Sequence, residues 1–185
     1  MLTRQALDLG IHQRTLYEMR DSGELVQVSR GVFRLASLPK LGHPDLVTVA
    51  LRVPKAVLCL VSALSYHDLT SEVPQEVHIA LPRGTKTPQL DHPPIRVYRF
   101  TEKALTEGIQ VVTLDGVKVR MYSREKTVVD CFRFRNKIGV DVAVNALSRL
   151  LKKGRAKPAD ILHFARLCRV ERVMRPYLEA LLGSK

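Results

Sequence analysis

The sequence predicts an α+β fold in two parts, a small unit over residues 1–39 and a larger one over residues 43–185. Three observations carry this. Between Thr3 and Leu35, two short helical patterns separated by Gly10 lead straight into a short alternating hairpin. From Val77 to Tyr122, apolar and β-branched runs alternate with turn residues, as strands do. After Ser123 the apolar residues recur at helical spacing to the end of the chain.

In the first unit, Thr3 is expected to cap a helix over Arg4–Leu9, with Gly10 supplying the turn and Ile11 an apolar plug. A second helix is expected over Gln13–Ser22, stopped by Gly23. Leu16 and Met19 share its inner face with Thr15 beside them, while Gln13, Arg14, Tyr17 and Asp21 share the outer face. Glu24–Val28 and Val32–Leu35 then read as two strands joined at Ser29-Arg30-Gly31. Helix, turn and helix followed by a hairpin is the order of a winged helix-turn-helix. Such a head enters the major groove with the N-terminus of its second helix, and the hairpin lies on the backbone. Arg can pair bidentately with guanine and Gln with adenine. The candidate DNA contacts are therefore His12, Gln13, Arg14, Thr15, Tyr17, Arg20, Ser29 and Arg30. Taken singly, Arg14 or Arg20 reads more readily as a solvated surface residue than as a base contact. A winged helix ordinarily has three helices, and the first is absent from this pattern. The apolar side it would cover is expected to meet a segment upstream or the second domain.

Residues Ala36–Gly42 read as a linker. Helices are expected at Pro44–Val53 and Ser62–Leu69, and strands at Val77–Leu81 and Ile95–Phe100, with an irregular proline-rich loop over Pro82–Pro94 between the strands. Asp115-Gly116 joins Ile109–Leu114 to Val117–Tyr122 as a two-residue hairpin turn. Ser123 caps a helix over Arg124–Arg135, and amphipathic helices follow at Val140–Lys153, Pro158–Cys168 and Val170–Leu182.

The formal net charge of +12 favours a polyanionic partner, because neutralised phosphates release counterions. The charge is lopsided. Residues 1–115 hold 13 Lys/Arg against 12 Asp/Glu, a net of +1; residues 116–185 hold 17 against 6, a net of +11. One basic group comprises Lys118, Arg120, Arg124, Lys126, Arg133, Arg135 and Lys137; a second comprises Arg149, Lys152, Lys153, Arg155 and Lys157. They suit DNA flanking the wing, an RNA, or an acidic protein surface; solvated helix faces are the plainer alternative. No apolar run nears the roughly 18–20 residues of a membrane helix, and the N-terminus lacks the apolar region of a signal peptide. Three scattered cysteines suggest buried thiols in a reducing cytoplasm.

Catalysis is not expected. The only Gly-Ser is Gly183-Ser184 at the C-terminus, and no Asp-x-Asp pair exists to hold a divalent metal. Asp130 is expected to pair within the fold, with Arg133 or Arg124. Cys131 beside His67 or His163 would be a thiol nucleophile only if the fold joined them. His43, His78 and His92 lack ligand spacing, so neither a metal nor a cofactor is expected.

The stretch Gly10–Tyr17, then Gly23-Glu24-Leu25 and Arg30–Leu35, resembles the N-terminal domain of AbiEi-type antitoxins. The likeness continues through Ser62–Leu69, Val77–Gly84 and Ser123–Asp130. These antitoxins are the autorepressor half of AbiE abortive-infection systems, a type IV toxin–antitoxin arrangement. The resemblance implies a winged head on operator DNA. It also implies a second domain that is similar to nucleotidyltransferases without their active site, and that counters a nucleotidyltransferase-type toxin.

Overall fold

A computed structural model describes residues 1–154 and 156–183. The chain opens with α1 (Thr3–Asp8) and α2 (Gln13–Asp21), followed by the antiparallel pair β1 (Leu25–Ser29) and β2 (Val32–Leu35). Thr3 is the first residue of α1 and not its cap. Its N–H donates to the Gly31 carbonyl at 2.9 Å, and Leu2 bridges to Val32, so the chain start lies along β2. This arrangement buries a small core of Ala6, Leu16, Leu25 and Phe33, backed by Ile11 and Met19. Leu25 and Leu35 face each other across the hairpin, which carries an irregularity between Gln27 and Ser29.

The rest of the chain builds one five-stranded mixed sheet. After α3 (Pro44–Arg52) come β3 (Val57–Leu58), α4 (Leu60–Tyr66), β4 (Val77–Pro82), β5 (Ile95–Phe100), α5 (Glu102–Thr106), β6 (Ile109–Leu114) and β7 (Val117–Tyr122). The chain closes with α6 (Arg124–Arg133), α7 (Arg135–Ile138), α8 (Val140–Lys152), α9 (Pro158–Leu167) and α10 (Glu171–Gly183). Strand order is β5-β4-β3-β7-β6; β4–β5 and β3–β7 are parallel and the other pairs antiparallel.

One sheet face carries Ala80, Tyr98, Phe100 and Tyr122 into a large core with α4, α6, α8, α9 and α10. The other carries Ile79, Leu81, Val119 and Met121 against Val47 and Val49 of α3. The period-2 alternation of β4 thus feeds two cores at once.

The expected β6–β7 turn is present, with φ of +48° at Asp115 and +78° at Gly116, the left-handed pair that a two-residue turn requires. Ser123 accepts the Lys126 N–H at 3.3 Å and caps α6 as expected. Two expectations shift. The helix placed at Ser62 starts at Leu60 and ends at Tyr66, because Asp68 adopts a φ of +54° just beyond it. The helix expected over Arg124–Arg135 stops at Arg133 and resumes as α7.

The two parts are tied at their junction. Both oxygens of Asp115 accept linker amides, from Gly42 at 3.1 Å and His43 at 3.2 Å. From the hairpin, Arg34 Nη2 donates to the Leu38 and Pro39 carbonyls. At the tip, Arg52 Nη1 donates to the Arg30 carbonyl at 2.9 Å.

Candidate nucleic-acid interface

The outer face of α2 stays free because its inner face is spent on the head's core. Leu16 is buried at 1% exposure, whereas Gln13, Arg14, Thr15 and Tyr17 are exposed. Thr15 therefore does not join the inner face beside Leu16. His12 caps the helix, its Nδ1 accepting the Arg14 N–H at 3.3 Å, so this ring is held at the helix start.

Arg14, Arg20 and Arg30 each already have a partner. Arg14 Nε lies 2.8 Å from Glu18, one turn on, and Arg20 lies 2.8 Å from Asp21 while its guanidinium sits 4.9 Å from the Tyr17 ring centre. Gln13 donates to the Tyr17 hydroxyl at 2.8 Å, and the Tyr17 ring packs on Phe33 at 6.2 Å. At the hairpin tip, Arg30 projects into solvent 3.8 Å from Asp91. Exposed pairs of this kind contribute only about 0–1 kcal/mol, so a phosphate or base edge can replace the carboxylate at little cost.

Ser29 does not belong to this surface. It is the last residue of β1, not part of the tip, and its hydroxyl is buried with no hydrogen-bond partner. The irregularity between Gln27 and Ser29 places it there.

The basic residues of the second part divide into different environments. Lys126 is a correction: it is fully buried, donates to Asp130, and lies 4.2 Å from the Tyr122 ring centre and 5.0 Å from that of Phe100. The Asp130 partner is thus Lys126, not Arg133 or Arg124. Arg133 is half-buried over Phe100 and Phe134, and Arg135 donates to the Phe132 carbonyl at 2.9 Å. Arg124 is half-buried. Arg149, Lys152 and Lys153 are exposed, with Lys153 donating to the His67 carbonyl at 3.1 Å. Arg155 lies outside the described residues.

Lys118 and Arg120 belong to a track that sequence reasoning missed. Arg120 donates to the Lys55 carbonyl at 3.2 Å, Lys55 follows α3 closely, and Arg52 at the end of α3 holds the Arg30 carbonyl. Arg30, Arg52, Lys55, Arg120 and Lys118 therefore lie along one route from the hairpin tip to the inner strand β7. Nothing in the linear order of Arg52 and Lys55 announces this.

Candidate nucleophiles are shut away. Cys59, Cys131 and Cys168 are buried free thiols, and burial pushes all three upward; Cys168 reaches about 11, with Asp130 adding to the effect. Its thiol donates to Asp130 at 3.5 Å. Burial likewise raises the Asp130 carboxyl against the pull of Lys126. His67 Nε2 donates to the Tyr122 carbonyl, 2.8 Å away.

The geometry defines a mixed α+β chain that opens with a helix–turn–helix–hairpin unit. Residues 2–36, which form that unit, match the family described as transcriptional regulator, AbiEi antitoxin. Among solved structures, the chain is similar to the RV2827C protein from Mycobacterium tuberculosis, with a TM-score of 0.52 at 16% identity, over 99% of this chain and 74% of that one. That likeness is one of fold. No curated protein sequence matches the chain. Among the described residues, no helix is long and apolar enough to cross a membrane.

Proposed function

We propose that the protein is the DNA-binding antitoxin of an AbiE-like toxin–antitoxin system, repressing its own operon and counteracting a nucleotidyltransferase-type toxin. One observation carries the reading: the residues that match the AbiEi regulators are those that fold as helix, turn, helix and hairpin, with the outer face of α2 left free. In this reading the head is a winged helix-turn-helix. Gln13 and Arg14 read bases, and Arg20 and Arg30 hold phosphates. The sheet domain is a nucleotidyltransferase-like scaffold that binds without catalysis or cofactor, in the cytoplasm.

The test is binding to the DNA upstream of its own gene against scrambled DNA, over a salt series, for wild type and Arg14→Ala/Arg30→Ala. Preference for the upstream DNA that the double variant loses supports the reading. A second reading, a sequence-blind nucleic-acid module, draws on the track from Arg52 through Lys55 to Arg120 and Lys118. Equal, salt-sensitive binding to both DNAs, unchanged by the head substitutions, would select it.

A further inference from the structure

We propose that the junction between the head and the sheet domain is a binding site for a small amphiphilic carboxylic acid. A cavity of about 670 Å³ opens there. Leu16, Met19 and Phe33 contribute to its wall from the head, and Val47 and Leu51 of α3 with Val117 of β7 contribute from the sheet domain. Its volume lies within the ~300–1,000 Å³ of small-molecule sites. Three turns of a helix ~10 Å across need roughly twice that space, so a docked helix fits poorly.

The polar groups at this cavity select the sign of the ligand. Arg34 lines it, and its Nε is buried with no hydrogen-bond partner. The same guanidinium is held in place through Nη2 by the Leu38 and Pro39 carbonyls. It is therefore a cation held in place at the cavity wall. Lys40 adds a second cation to the lining. The acid in the lining is Asp115, whose two oxygens accept the Gly42 and His43 amides, so the two cations face a single carboxylate there. A carboxylate meets the two cations Arg34 and Lys40, while the apolar wall receives the body of the ligand. An ammonium of the same shape meets repulsion. Because both units supply the wall, a bound acid touches head and sheet domain together.

The experiment is calorimetric titration of the full chain with decanoate, decanol and decylamine, which share a chain and differ in headgroup. The expected result is saturable decanoate binding at one per chain, decanol weaker by at least about tenfold, and no binding of decylamine. Arg34→Met is expected to bring decanoate down to the level of decanol. Should that chain fail to fold, Lys40→Met reads the same preference from the other cation. Leu51→Trp and Val47→Phe fill the cavity from the sheet-domain side and are expected to abolish binding. Absence of saturable decanoate binding to wild type overturns the proposal. So do equal affinities for the three headgroups, or decanoate binding that both cavity-filling variants leave unchanged.

Discussion

Lys126 donates to Asp130 one helical turn away, and both side chains are fully closed to solvent. The ammonium also rests between the rings of Tyr122 and Phe100. Two charges are thus held in the middle of the large core, where an isolated charge is costly and a paired one tolerable. Lys126→Met leaves the Asp130 carboxylate without its cation, and a loss of about 3–5 kcal/mol in unfolding free energy is expected. The double substitution Lys126→Met/Asp130→Leu removes both charges and should regain most of that loss. Urea denaturation of the three chains checks the pattern.

Gly108 faces the same lysine. It has a φ of +77°, and a Cβ built there would lie 2.9 Å from the Lys126 Cβ. Gly108→Ala is expected to cost at least about 1–2 kcal/mol from the left-handed backbone alone, with the clash in addition. A lowered denaturation midpoint with an unchanged slope would be the readout; an unchanged midpoint would contradict the packing described.

His78 gives the fold an acid-side weakness. Burial, aided by the neighbouring Arg96 charge, lowers its pKa from 6.5 to about 4. The unfolded chain therefore takes up this proton first, and the contribution of neutral His78 is full above pH 6.5 and drains away as the pH falls toward about 4. Burial lowers His67 in the same direction. Unfolding midpoints measured at about pH 7 and about pH 4.5 should drop for wild type, and drop less for His78→Gln.

The two head arginines should fail differently. Arg14→Ala is expected to lose about 1–3 kcal/mol on the preferred DNA and to blur its distinction from scrambled DNA. Arg30→Ala should weaken binding to all DNAs alike and reduce the salt slope by about 1. Fluorescence anisotropy on both DNAs separates these outcomes; identical behaviour of the two variants would refute the assignment of reading to α2 and holding to the wing.

Asp115→Ala should free the linker. The Gly42 and His43 amides would lose their acceptor, so faster hydrogen exchange at those two positions and quicker tryptic cleavage after Lys40 are expected. Unaltered exchange would mean that other contacts fix the linker.

The head was legible because its signals are local. Gly10, the spacing of Leu16 and Met19, and the alternation of Val32–Leu35 each act within a few residues. The Asp115-Gly116 turn was legible for the same reason. The two-residue β3 and the short α5 carry too little pattern to be seen. Lys126 misled because a lysine amid Arg124 and Glu125 reads as surface; its burial comes from Tyr122 and Phe100, which the fold brings over it. Ser29 misled because the irregular pairing at Gln27 and Ser29 leaves its hydroxyl buried. Arg52 meets the hairpin tip, and Lys55 meets Arg120, through tertiary hydrogen bonds that span 22 and 65 residues.

The hydrogen bond from Arg52 to the Arg30 carbonyl bears on how the head can be studied. A fragment cut near Pro39 would keep both helices and the hairpin, yet forfeit the clasp on the hairpin tip and the Val47 and Leu51 side chains that line one cavity with Val28 and Val32. Such a fragment would present a loosened hairpin and newly wetted apolar surface, so the proposed DNA binding is better tested on a longer piece. The smallest piece that keeps the clasp is the head still joined to its α3.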